Sequence, residues 1–247
     1  MKSDPAGPQT IYRHSDEVSA SIRAAERIVP IILEVVGPVA SVVDLGGGTG
    51  AWLRVFQESG VETILLIDSP TVESELLVGK ESLQPADLDI EFPPVARFDL
   101  AVCVECAEHL RPDRAEKVIE WLTDAAERVV FSAAIPGQGG KGHINERPPE
   151  YWRDLFRERG FVRRDVLRPR ILHDRDIPFW YRQNLYLFTR ASVALAVEAD
   201  DFIADDFELV YKNIIDAHRG PSSFRHVLGQ LGPTLNSAIR RRVGRRS

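Results

Sequence analysis

The sequence predicts an α/β fold: a doubly wound, mostly parallel sheet with helices on both faces, an antiparallel strand pair at one edge, helices at the N-terminus and a helical extension at the C-terminus. Three observations carry this. Short, continuously apolar runs alternate with helical patterns between Ser41 and Ala133. A cluster of glycines sits where the first apolar run hands over to a helix. After Pro149 the alternation gives way to one amphipathic helix and then two strand-like segments.

Residues 1–10 are read as disordered: Met1 to Gln9 is polar, holds two prolines and lacks the apolar core of a signal peptide. From Ser15 to Val36, Ile22, Ile28, Ile31, Ile32 and Val35 mark the apolar face of a helical segment. Pro30 is expected to divide it into two helices, and Gly37-Pro38 to stop it. Ser41–Leu45 reads as a buried strand, Gly46–Gly50 as a loop, Ala51–Ser59 as a helix ended by Gly60, and Glu62–Asp68 as a second strand. Phe98–Val104 and Arg128–Ala133 are further strands, separated by a helix over Arg114–Ala126. Glu150–Arg159 is a helix with Trp152, Leu155 and Phe156 inward. Phe161–Leu172 and Asn184–Arg190 are the edge pair. The domain expected from this covers residues 11–190. Residues 191–247 form the extension, with an acidic, then mixed helix over 199–219 and a solvated tail bearing Arg240, Arg241, Arg242, Arg245 and Arg246.

The 247 residues are 44% apolar and 28% charged, enough for a core without disulfides or structural metal. A net charge of −6 argues against nucleic acid as a partner, since phosphate binding needs a basic excess. Cys103 and Cys106 form a C-x-x-C, but no second pair completes a zinc site and no redox context surrounds them, so they are read as structural thiols. No apolar run approaches the ~20 residues of a membrane span. No membrane partner is expected, and a cytoplasmic location follows.

The glycine loop, Val43-Asp44-Leu45-Gly46-Gly47-Gly48-Thr49-Gly50, carries the functional signal. Glycines let the backbone turn sharply and let a ligand approach, and the helix behind offers free N–H groups. Gly46, Gly48 and Ala51 satisfy the dinucleotide pattern G-x-G-x-x-G/A. A sulfonium nucleoside, S-adenosylmethionine, is the other ligand such a loop takes. Asp44 suits its cationic amino group and is unwelcome beside a pyrophosphate. Asp68, followed by Ser69, ends the second strand where a carboxylate can accept both ribose hydroxyls, or else cap the turn at Ser69-Pro70.

Asp44, Gly46, Gly48 and Gly50 resemble the D-x-G-x-G-x-G motif of the class I (Rossmann-like) S-adenosylmethionine-dependent methyltransferases. Three later segments extend the likeness. Ala86-Asp87-Leu88 falls where that family holds the adenine edge. Arg97–Leu110 resembles its fourth strand and following acidic, histidine-bearing turn. Phe131–Glu146, with Pro149–Trp152 and Trp180–Asn184, is similar to bacterial small-molecule tailoring enzymes of natural-product and antibiotic biosynthesis. The resemblance spans about residues 20–190. It implies S-adenosylmethionine as cofactor, contacted by Asp44, Gly46, Gly48, Gly50, Trp52, Asp68, Ser69, Asp87, Leu88 and Glu105. For Trp52 the alternative is a core position, and for Asp87 an ordinary loop carboxylate.

The implied reaction is methyl transfer to an oxygen or nitrogen of a small-molecule acceptor. His143, in a glycine-rich loop, is the first candidate for a general base, since imidazole exchanges protons near neutral pH; anchoring the loop is its alternative role. His109, expected to begin a helix beside the cofactor, is the second candidate, with a structural or cofactor-contacting role as its alternative. Glu105, Glu108 and Glu146 are candidates to orient a histidine or bind an amine, with pairing of Glu146 to Arg147 or Lys141 as the alternative. Tyr12 and the first helix are expected to cover the cofactor; Tyr151, Trp180 and Tyr181 are candidates to wall an apolar acceptor pocket, with core positions as the alternative. No metal is expected, because the histidines lack ligand spacing with carboxylates. A homodimer is compatible with the sequence. Three other functions compete: an S-adenosylmethionine-binding biosynthetic enzyme doing a non-methylating reaction such as cyclisation or decarboxylation, an NAD-dependent oxidoreductase, and a binding module without turnover.

Overall fold

The computed structural model describes residues 11–197, with side chains from Val18 onward. The segment 1–10, the Tyr12 side chain, the helix expected over 199–219 and the arginine tail lie outside the described residues. All described residues belong to the unit Met1–Ile203.

Helix α1 runs unbroken from Ile11 to Val36 through Pro30, so the expected division does not occur. Proline inside a helix costs ~3 kcal/mol. Here Pro30 faces solvent, while Ile28, Val29, Ile32 and Val35 around it are fully buried. Each buried aliphatic side chain contributes about 1.5–3 kcal/mol, which outweighs the lost hydrogen bond.

The chain then alternates as expected. Strand β1 (Ser41–Leu45), helix α2 (Ala51–Glu58), strand β2 (Thr63–Asp68), strand β3 (Leu83–Pro85), strand β4 (Leu100–Val104), helix α3 (Ala115–Ala125) and strand β5 (Arg128–Ser132) follow one another. Helix α4 (Pro149–Glu158), strand β6 (Phe161–Arg164), the short helices α5 (Arg168–Ile171) and α6 (Phe179–Asn184) and strand β7 (Tyr186–Arg190) complete the described chain. The seven strands form one sheet in the order β3-β2-β1-β4-β5-β7-β6. Strands β1 to β5 are mutually parallel, and β7 lies antiparallel between β5 and β6.

Strand β3 lies outside the strands that the sequence predicts; it is three residues long and ends in a proline. The expected strand Phe161–Leu172 is the larger correction. It stops at Arg164, and residues 168–171 turn into a helix. Pro169 has no N–H for a ladder. Arg168 is buried, its guanidinium bonded to the Asp165 carboxylate and, at 3.1 Å, to the Gln183 carbonyl. That fixed polar centre requires a turn rather than an extended chain.

One core layer, with Ile28, Ile32, Phe56, Leu66 and Leu100, packs α1 and α2 on one sheet face. The other, with Val43, Leu45, Ile119, Leu122, Phe131 and Phe156, packs α3 and α4 on the opposite face. Cys103 and Cys106 are free and buried in this second layer. At the amino edge, the Asp99 carboxylate accepts bonds from the Ala40 and Ser41 amides, both at 2.9 Å, and locks β1 to β4. The carboxyl ends of β1, β2, β4 and β5 therefore share one edge, the crevice where open α/β sheets bind ligands. Among the described residues no helix is long and apolar enough to cross a membrane.

Candidate functional site

Asp44 sits near the end of β1, 2% exposed, and its Oδ2 has no hydrogen-bond partner among the described residues. Burial first, and then the charge of Asp68, push its carboxyl up to about 8. The glycine loop turns over it. Gly48 adopts a positive φ of 59°, and no described residue occupies the space where a Cβ would project. A ligand can therefore approach the backbone there. Gly46 packs on Cys106, where a Cβ would collide with the thiol, and Gly50 starts α2 in the left-handed conformation.

Asp68 closes the loop from the neighbouring strand. Its Oδ2 accepts the Gly48 N–H at 2.7 Å and its Oδ1 accepts the Ser69 N–H at 2.6 Å. Burial nevertheless raises its pKa against those bonds. The Ser69 hydroxyl caps the next turn by accepting from the Thr71 N–H at 3.3 Å. The Ala86 N–H donates to the Asp68 carbonyl at 2.8 Å and brings the adjoining segment to the same edge. Leu88 is buried there, while Asp87 is exposed and accepts the Asp89 N–H at 3.0 Å in a local turn. Trp52 lies in the core, 4% exposed and edge-on to Tyr181 at 5.6 Å between ring centroids.

The turn after β4 is strained. Glu105 has φ 52°, a left-handed backbone that side-chain-bearing residues rarely adopt. Its N–H donates to the Ser132 carbonyl and hydroxyl, both at 3.1 Å, which ties β4 to β5. Its Oε2 accepts from Gln138 Nε2 at 3.2 Å, Gln138 Oε1 accepts from Asn184 Nδ2 at 2.8 Å, and its Oε1 is buried without a partner among the described residues. Burial raises the Glu105 pKa, opposed by hydrogen bonds from Ser132 and Gln138. Glu108 is fully buried, and burial followed by the charge of Glu105 raises its carboxyl to about 9. Ala107–His109 is a single 3-10 turn rather than a helix start. Pro112 holds Arg111 extended, so α3 begins only at Ala115.

The loop after β5 folds back on this turn. The Ile144 and Asn145 amides donate to the Glu108 carbonyl at 2.9 and 3.0 Å. The Glu146 carboxylate accepts the Gly137 and Gly139 amides, each at 2.8 Å, and its Oε1 lies 3.2 Å from His143 Nδ1. Glu146 therefore lies against His143, and Arg147 bonds to Asn145 Oδ1 at 2.9 Å. The rings of His143 and His109 meet edge to face at 4.8 Å. The ligand spacing absent from the sequence appears in space: one ligand atom each from Glu108, His109 and His143 lies within 4.8 Å of the others.

The expected aromatic wall is composed differently. Tyr181 is buried against Trp52 and Trp180, and Arg147 stacks over Tyr151 at 5.2 Å. A small apolar pocket is lined instead by Phe131, Ala133, Pro149, Trp152, Asn184, Tyr186 and Phe188. Asn184 links it through Gln138 to Glu105. No sequence signal singled out Gln138, because a lone glutamine in a glycine-rich loop carries no pattern.

Residues 20–132 match the family model of a methyltransferase domain. Among solved structures, the sugar N-methyltransferase KedS8 from a Streptoalloteichus species aligns with TM-score 0.55 at 14% identity, over 77% of this chain and 96% of its own. The pyocyanin biosynthetic protein PhzM aligns with TM-score 0.51 at 20% identity, over 74% of this chain and 59% of its own. A SAM-dependent methyltransferase from Archaeoglobus fulgidus gives TM-score 0.50 at 18% identity, over 62% and 75%. The chain spans 59% of the length of PhzM and of TnmH, another structure it resembles. These likenesses establish the fold. No curated protein matches the sequence significantly.

Proposed function

We propose, on the premise that residues 20–132 are a methyltransferase domain, that the chain binds S-adenosylmethionine at the carboxyl edge of its sheet and transfers the methyl group to an oxygen or nitrogen of a small molecule. The carrying observation is the buried Oδ2 of Asp44, without a hydrogen-bond partner among the described residues and packed under Gly47, in a loop whose backbone is open at the next residue, Gly48. A buried carboxylate calls for a cationic partner, and the ligand's amino group is one. Asp68 ends the adjacent strand, where its oxygens can exchange a backbone amide for ribose hydroxyls. A pyrophosphate beside these acids would meet repulsion instead.

The bound cofactor supplies a methyl group already activated by its sulfonium. What the protein adds is position, worth ~7–11 kcal/mol when the acceptor lone pair lies in line, and a route for the acceptor's proton. Glu146 favours the His143 tautomer protonated at Nδ1, which leaves the Nε2 lone pair to receive that proton. The names of KedS8, a sugar N-methyltransferase, and PhzM, a pyocyanin biosynthetic protein, support a secondary-metabolite acceptor.

Calorimetric titration with S-adenosylhomocysteine and, separately, NADH tests the reading. Saturable binding of the first and none of the second is expected; the reverse pattern overturns it.

A further inference from the structure

We propose that Glu108, His109 and His143 hold one divalent first-row transition-metal ion, such as Mn2+, Co2+ or Zn2+, beside the cofactor crevice. Their ligand atoms lie within 4.8 Å of one another. Bonds from such ions to imidazole nitrogen and carboxylate oxygen measure about 2.0–2.2 Å, so two ligand atoms on one ion stand at most about 4.4 Å apart, and these side chains must draw together by several tenths of an ångström or more to share one.

Glu108 supplies the independent observation. Its side chain is fully buried, and neither carboxylate oxygen makes a well-formed hydrogen bond among the described residues, its polar neighbours being the Ala134 backbone and the Glu105 carboxyl. Buried carboxylates are ordinarily paired or coordinate a cation. His143 supplies the next. Its Nδ1 faces Glu146 at 3.2 Å, and Glu146 is itself fixed by two loop amides. A carboxylate behind the outer nitrogen is how metal-bound imidazoles are oriented, leaving Nε2 to ligate. Gly140 lies on the face of the same ring, where a Cβ would collide with it, so this glycine is what lets the loop close over His143. Bonds from Ile144 and Asn145 to the Glu108 carbonyl join the two ligand-bearing segments into one frame. Two imidazoles with a carboxylate suit transition metals better than the all-oxygen sets of calcium or magnesium.

The cluster abuts the cofactor loop, because the His109 N–H bonds to the Cys106 carbonyl at 2.9 Å and Gly46 packs on Cys106. An ion there would bind the acceptor's hydroxyl and lower its pKa, so that the proton leaves before the oxygen attacks the methyl carbon. In that case His143 acts as a ligand rather than as the base. This catalytic consequence rests on the methyltransferase reading; the cation site does not.

The test uses the full chain, stripped with chelator and dialysed against Mn2+, Co2+ or Zn2+ singly, with bound metal measured by elemental analysis and Mn2+ also by electron paramagnetic resonance. We expect saturable uptake of one equivalent of at least one ion, weakened at least about tenfold in His143→Ala and in Glu108→Gln, and about 10–100-fold in Glu146→Gln. An unchanged circular dichroism spectrum and metal-free melting temperature report that each variant is folded. No saturable uptake at millimolar metal, or equal uptake by wild type and His143→Ala, overturns the proposal. Metal uptake without S-adenosylhomocysteine binding would instead sink the methyltransferase reading and leave the cation site standing.

Discussion

The Asp68 carboxylate accepts the Gly48 amide at 2.7 Å, so the acid at the end of β2 holds the glycine loop at the end of β1. One residue thus serves the loop's shape and, in the proposed complex, the ribose. Removing it costs both. Asp68→Ala is expected to weaken S-adenosylhomocysteine binding at least about tenfold, since hydrogen bonds to a charged group contribute ~1.5–3 kcal/mol each. Calorimetry reads this directly, and an unchanged dissociation constant would remove Asp68 from the site.

Asp44 makes a pH prediction. Its carboxyl titrates at about 8 in the folded protein, against an ordinary value of 3.8. Between those values the folded state keeps a proton that the unfolded state has lost, so stability falls as pH rises. The contribution is complete below pH ~4 and gone above pH ~8. Asp44→Asn cannot ionise and should flatten that decline in urea unfolding measured across the interval, provided the ligand is absent. With ligand the sign reverses: a cationic amino group favours the ionised acid, so S-adenosylhomocysteine should bind more tightly as pH rises towards 8 and release a proton on binding. Calorimetry in buffers of different ionisation enthalpy counts that proton.

His143 and Glu146 form a unit. His143→Ala should lower turnover by roughly 10²–10⁴, whether its nitrogen takes a proton or holds a cation, and leave S-adenosylhomocysteine affinity unchanged. Glu146→Ala should act in the same direction, because it also releases the Gly137 and Gly139 amides. Equal losses in turnover and cofactor affinity would make the loop a structural clasp.

What the sequence disclosed divides by distance. Asp44, the glycines and Asp68 are legible because a strand-to-helix turn is a local event with its own residue chemistry. Strand β3 is not, because three residues carry no periodicity and its pairing with β2 is tertiary. Trp52 follows the glycine loop in sequence yet points into the core, since the helix face decides its direction. The Glu108–His109–His143 cluster escapes any spacing rule: its members lie on two loops, and only the backbone bonds from Ile144 and Asn145 bring them together.

The misread segment after β6 yields the last prediction. Arg168 is 2% exposed, bonded to Asp165 and to the Gln183 carbonyl, and stacked over Tyr186 at 4.4 Å. Truncating one member of a buried ion pair leaves the other uncompensated, which typically costs ~3–5 kcal/mol. Arg168→Ala should therefore lower the melting temperature sharply. The double variant Arg168→Met with Asp165→Leu should recover much of the loss, because apolar replacements of similar size remove the stranded charge. The cation is also what turns the chain at residues 168–171 and sends it towards α6, whose Asn184 reaches Gln138 at 2.8 Å. If the double variant regains stability but turnover stays low, Arg168 positions the pocket wall as well as the fold. A single variant as stable as wild type would mean that the turn is held by its apolar neighbours alone.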